Sequence, residues 1–218
     1  MFTKNISFKN FLINKKKLVI KKNLSSILNE KNQVIKSLSK SYKDSFNRKS
    51  IKHFNKKFDY RIIGMGGSTL GAQAIYDFLK KKIKKNFIFV DNLNAFENKK
   101  TKKNLNNLII SKSGNTIETI VNANILIKKK DKNLFITEKK ESYLSSLAKK
   151  LKAEVVDHNN YIGGRYSVLS EVGMLPAELM DLDSRKFKQL NNLIKNKNYI
   201  NSLVNNVDQI LYFAKRKK

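Results

Sequence analysis

Five short apolar runs, most of them separated by stretches of helical periodicity, restrict this chain to very few folds. The runs are Tyr60–Gly64 (YRIIG), Asn86–Asp91 (NFIFVD), Asn107–Ser111 (NLIIS), Asn133–Glu138 (NLFITE) and Ala153–His158 (AEVVDH). They are apolar on successive positions, so both faces of each strand must be covered. Helical spacing in Leu70–Ile83, Thr116–Lys128 and Ser142–Leu151 supplies the cover. Strands alternating with helices in this way predict an α/β fold, a three-layer sandwich with a mainly parallel sheet flanked by helices on both faces. The predicted organisation is an amino-terminal extended and helical segment over 1–57, the α/β domain over 58–183 and a helical extension over 184–218. Within the flanks, helices are expected at Ser25–Lys40, Ser184–Lys195 and Tyr199–Lys215. No internal repeat and no linker rich in Pro, Gly or Ser interrupts the chain.

Composition narrows the chemistry. With 40% apolar residues, 218 residues can fill a sizeable core. There is no cysteine, which removes disulfide frameworks and thiolate metal sites, and the two histidines, His53 and His158, are too few for a metal cluster. Both read as surface or packing residues. No apolar run reaches membrane-spanning length and the lysine-broken start has no single hydrophobic block, so a soluble, untargeted, cytoplasmic chain is expected. A formal charge of +29 suggests nucleic acid as a partner. Yet only five of the 46 basic residues are arginine, and the lysines run from Lys4 to Lys218 among abundant Asn and Ile. An A/T-rich coding sequence produces that mixture unaided, whereas base readout favours the bidentate guanidinium. Nucleic-acid binding is therefore the weaker reading.

Against this background, glycine, arginine and proline carry information. The eight glycines fall in three stretches, at 64, 66, 67 and 71, at 114, and at 163, 164 and 173. GMGGSTLG (Gly64–Gly71) follows a strand and opens a helix, where backbone N–H groups can approach an anion. It lacks the third glycine of a dinucleotide fingerprint, Asp91 is at best a weak acidic partner, and no Gly-Lys-Ser/Thr phosphate loop is present. SKSGNTIET (Ser111–Thr119) sets three hydroxyls, Ser111, Ser113 and Thr116, with Lys112 at the start of a helix, where the dipole and free amides favour a dianion. Capping by Ser113 or Thr116 is the ordinary alternative, and it needs only one hydroxyl. The third stretch, YIGGRYSVLSEVGMLPAEL (Tyr161–Leu179), holds Arg165 and Pro176, the only proline in the chain.

These three motifs carry a resemblance. SKSGNTIET looks like the phosphate-binding turn of sugar isomerase (SIS) domains, GMGGSTLG resembles the first turn of the same fold, and GGRYSVLS resembles the signature of the glucose-6-phosphate isomerase family. The similarity is convincing over about 59–183. It implies a doubly wound SIS domain that binds a sugar phosphate through Ser111, Lys112, Ser113 and Thr116, with Gly67, Ser68 and Gly164 lining the substrate. Arg165 would stabilise an enediolate, and Glu118 would support the phosphate turn from behind. The family reaction, glucose 6-phosphate to fructose 6-phosphate, needs no metal or organic cofactor, and its members are homodimers.

The family's general base, a glutamate in Gln-x-x-x-Glu-Ser-x-Gly-Lys, and its histidine and carboxy-terminal lysine belong to a second α/β domain and are not recognisable here. Glu141-Ser142 matches only two letters of that pattern. The chain is thus expected to supply the phosphate grip and Arg165 but not the proton carrier. A free-standing SIS regulator is the alternative, with GGRYSVLS arguing against it.

Overall fold

A computed structural model describes residues 18–54, 59–93, 105–128, 130–188 and 195–216. They form two compact units: Lys43–Lys186, and the described residues that flank it in the chain. The strands are β1 (Tyr60–Gly64), β2 (Phe87–Val90), β3 (Asn106–Ile110), β4 (Lys132–Thr137) and β5 (Glu154–Asp157). The α-helices are α1 (Leu18–Asn29), α2 (Gln33–Ser37), α3 (Leu70–Leu79), α4 (Ile117–Leu126), α5 (Tyr143–Leu151), α6 (Glu171–Leu179) and α7 (Lys197–Arg216).

All five strands pair in parallel, in the order β2-β1-β3-β4-β5. Side chains alternate across the sheet, so each face has its own core. Tyr60, Ile62, Leu108, Ile110, Leu134 and Ile136 point to one face and pack against Ala72 and Tyr76 of α3 and Val172, Leu175 and Leu179 of α6. Ile63, Ile109 and Phe135 point to the other, against Ala123 of α4 and Leu144 and Ala148 of α5. This is the three-layer parallel α/β sandwich that the alternating runs predict. β1 and β3 are buried along their whole length, while the edge strands expose Ile88 and Val155.

The amino end of the sheet closes on itself. Arg61, Asn107 and Asn133 lie in register across β1, β3 and β4. Arg61 donates to the Leu126 carbonyl at 2.9 Å, and Asn107 donates to Asp131 at 3.1 Å and Asn133 at 2.9 Å. The Asn107 amide nitrogen is thus satisfied, whereas its buried side-chain oxygen has no partner among the described residues.

Of the predicted flanking helices, Tyr199–Lys215 lies within α7, whereas the other two differ. In place of one helix over Ser25–Lys40 there are two, because Asn32 takes an extended conformation and its side chain accepts from the Val34 amide, starting α2 afresh. The described part of Ser184–Lys195 is a 3-10 turn, Ser184–Lys186, and 189–194 lie outside the described residues. Among the described residues no helix is long and apolar enough to cross a membrane.

Candidate functional site

The strand order creates the site. β1 leads to β2 on one side, and the chain then crosses back to place β3 on the other, so the turns leaving β1 and β3 diverge and open a crevice at their carboxyl ends. In open parallel sheets this reversal is where ligands bind. Gly64 pairs with Ile110, so GMGGS and SKSGNT emerge side by side.

Thr116 stands at the amino-terminal boundary of α4 in an extended conformation, but its side chain makes no capping bond to the helix. Its hydroxyl pairs with that of Ser111 at 2.9 Å, and Ser111 is almost wholly buried. Ser113 Oγ accepts the Asn115 amide at 3.2 Å. The first amides of α4 are left without a capping side chain, the condition under which a helix end attracts an anion. Gly114 holds the turn's shape with φ of +68°, and a Cβ there would overlap Ser142. Glu118 lies half-buried in the first turn of α4 and makes no hydrogen bond among the described residues. The turn is held instead by Ser111, Ser113, Gly114 and the packing of Ser142.

After β5 the chain returns through a 3-10 turn, Gly164–Leu169, and enters α6. The backbone of Gly164 fills the place a Cβ of Gly67 would take. Ser167 Oγ ties the two loops, donating to the carbonyls of Gly164 at 2.7 Å and Gly67 at 3.3 Å. Val168 is gripped in the same way, by Gly71 and Gly173. Ser68 closes the 3-10 turn Gly66–Ser68, half-buried, and its hydroxyl bonds to nothing among the described residues. Arg165 is exposed and makes neither a hydrogen bond nor an ion pair among them. Glu178 pairs with Arg48 at 2.9 Å and Glu171 accepts the Asn159 amide at 2.8 Å, so neither anchors Arg165.

Lys112 is engaged by the loop after β5 and by Glu138. Its ammonium donates to the Asn160 carbonyl at 2.6 Å and lies 3.6 Å from Glu138. Burial opposes ionisation of Glu138, but bonding to Lys140 and the charges of Lys140 and Lys112 prevail and hold its carboxyl below the ordinary range. Beside it, His158 and Glu171 are both buried, with His158 Nδ1 3.0 Å from the Asn159 carbonyl and 3.8 Å from Glu171. Sequence reasoning missed these contacts. Its only available signal was a lone acidic residue opening the apolar helix EVGMLPAEL.

Burial drives the His158 imidazole below its ordinary value, outweighing the Asn159 carbonyl and Glu171, which favour the charged form. The unfolded chain takes up a proton near ~6.5 that the folded chain resists. The neutral imidazole's contribution is therefore complete above that pH and is lost as pH falls through it towards the lower folded value. The denaturation midpoint is expected to drop between about pH 7 and pH 5, and His158→Gln to flatten that drop.

Comparison with known proteins gives the family and the fold. The phosphoglucose isomerase family model matches residues 9–206. Glucose-6-phosphate isomerase of Methanocaldococcus jannaschii is 34% identical over 170 residues, covering 69% of this chain and 41% of that protein. The enzyme of Mycoplasma genitalium is 34% identical over 161 residues, 63% of this chain and 37% of that one. That of Acholeplasma laidlawii is 37% identical over 146 residues, 57% and 34% respectively. The chain thus spans about two fifths or less of the length of these relatives. Among solved structures, a hypothetical protein of Thermus thermophilus superposes with a TM-score of 0.67 at 18% identity, covering 89% of this chain and 52% of that one. Tagatose-6-phosphate ketose/aldose isomerase of Escherichia coli gives 0.53 at 14%, covering 73% and 50%. At such identities the likeness concerns the fold.

Proposed function

The chain belongs to the phosphoglucose isomerase family, and from that premise we propose that it serves the interconversion of glucose 6-phosphate and fructose 6-phosphate by binding the sugar phosphate and stabilising the enediolate. The observation that carries this reading is the convergence, at the reversal point of the sheet, of an uncapped hydroxyl turn, the glycine turn after β1 and a loop bearing an arginine with no partner among the described residues. In the proposed arrangement Ser111, Ser113 and Thr116, with the first amides of α4, receive the phosphate, and Lys112 contributes charge. Gly67, Ser68 and Gly164 line the sugar.

Isomerisation moves a proton from C2 to C1 as the carbonyl passes from C1 to C2, through an enediolate whose negative charge lies on oxygen. The Arg165 guanidinium offers a planar fork of donors, which suits that oxygen. With no partner among the described residues, those donors are left for the substrate. A proton carrier is also required, and the reading assigns that role to none of the residues above.

A Ser113→Ala, Thr116→Val double variant tests the anion site directly. Calorimetric titration with glucose 6-phosphate or inorganic phosphate is expected to lose about a hundredfold or more in affinity, the scale of two hydrogen bonds to a charged group. Equal affinity in variant and parent would refute the assignment.

A further inference from the structure

Helix α6 and the hydroxyl turn come from distant parts of the chain, yet a continuous set of bonds joins them behind the candidate site. Glu171, the first residue of α6, is completely buried, and its carboxylate accepts the Asn159 amide at 2.8 Å. On the same short loop, the His158 amide donates to the Thr137 carbonyl at 2.9 Å, fixing the loop to the end of β4. One residue further than Asn159, the Asn160 carbonyl receives the Lys112 ammonium at 2.6 Å. The backbone of Lys112 is held as well, since its carbonyl accepts the Glu138 amide at 3.1 Å. Displacing Glu171 would therefore free the Asn159–Asn160 part of the loop, which seats Lys112, while the His158 amide and the turn's backbone stayed on β4.

We propose that Glu171 is a positioning residue for the anion site: through the Asn159 amide it fixes the 158–160 loop, whose Asn160 carbonyl sets the Lys112 ammonium beside the hydroxyl turn. This rests on the reading of that turn as the phosphate grip. Because Glu171 also begins the helix into which the Gly-Gly-Arg loop runs, the phosphate end and the arginine end of the site are tied through one buried carboxylate. A buried carboxylate is costly unless its bonds are met, and here the helix amino terminus and the Asn159 amide help meet them. Charged groups facing this junction are Lys112 from the hydroxyl turn, Glu138 after β4 and Glu171 from α6. Asp157, Lys139 and Lys140 line the adjoining recess with His158.

A double-variant cycle on inorganic phosphate affinity tests the coupling. Glu171→Met keeps the buried volume and removes the acceptor; in the parent it is expected to weaken phosphate binding about five- to tenfold. In a Lys112→Met background, where the lysine to be positioned is gone, the same change is expected to cost less than about twofold. Glu171→Gln retains an acceptor oxygen and is expected to restore binding to within about twofold of the parent. A merely structural role would produce equal losses in both backgrounds, and that result would overturn the proposal.

A second readout needs no phosphate and no Glu171→Met. With only two histidines, a His53→Gln chain reports His158 alone by proton NMR. Lys112→Met is expected to raise the His158 titration midpoint, because the lysine charge pushes it down, and to move it less in a Glu171→Ala background, where the loop carrying the Asn160 carbonyl no longer sets the lysine in place. If phosphate fails to bind while the Lys112→Met shift shrinks without Glu171, the functional reading falls and the coupling stands. A His158 midpoint unmoved by Lys112→Met would overturn the coupling whatever phosphate does.

Discussion

Arg165→Ala is expected to reduce conversion of fructose 6-phosphate to glucose 6-phosphate by about a hundred- to a thousandfold, measured on this chain supplied with the carboxy-terminal region of a curated relative. The expectation follows from an exposed guanidinium with no partner among the described residues, on a loop in backbone contact with the glycine turn after β1. Arg165→Lys keeps the charge and loses the planar fork, so it should retain intermediate activity. The chain alone should stay at background. General acid–base help contributes about 10²–10⁴-fold to such reactions, and the resemblance assigns it to a region this chain does not match. A coupled dehydrogenase assay follows the product. Robust turnover by the chain alone would contradict this, and Glu118, half-buried and bonded to nothing among the described residues, would be the first carboxylate to replace.

The second large effect separates the glycines by what they serve. At Gly67 a Cβ would overlap the backbone of Gly164, which cannot swing aside as a side-chain end can. Gly67→Ala is therefore expected to cost about 1–3 kcal/mol of stability, as overpacking does, and to push the two loops apart. Gly163 differs. Its φ is −70°, and the nearest atom to an added Cβ is Tyr166 Cδ2 at 3.8 Å. Gly163→Ala should leave stability within about 0.5 kcal/mol of the parent; if the Gly-Gly-Arg loop lines the sugar as proposed, the added methyl should nonetheless lower sugar-phosphate affinity severalfold. Urea denaturation and calorimetric titration on both variants give the answer. If Gly163→Ala bound as tightly as the parent, the double glycine would need another explanation.

Much of the fold was legible in the chain because strands buried on both faces leave unbroken apolar runs. Each of the five strands begins and ends within one residue of the run that predicts it. The turns were legible for a related reason. Gly114 at positive φ and Gly67 under the Gly164 backbone need glycine for steric causes, and a steric need leaves its mark on the residue itself. Helix ends were less readable. Asn32 restarts a helix within Ser25–Lys40, and nothing in helical periodicity distinguishes a capping asparagine from one of the many others.

Pairing across the sheet belongs to another level. Periodicity says that a strand is covered, not which strand lies beside it, so the order β2-β1-β3 and the crevice it opens arise from packing between segments far apart in the chain. The same holds for Lys112. Local sequence sets it next to three hydroxyls, but its ammonium is directed by Asn160, 48 residues on, and that loop by Glu171. A buried carboxylate and an ordinary first-turn glutamate are the same letter in a sequence. Only the tertiary structure, by removing water from around Glu171 and bringing the Asn159 amide to it, decides which one it is.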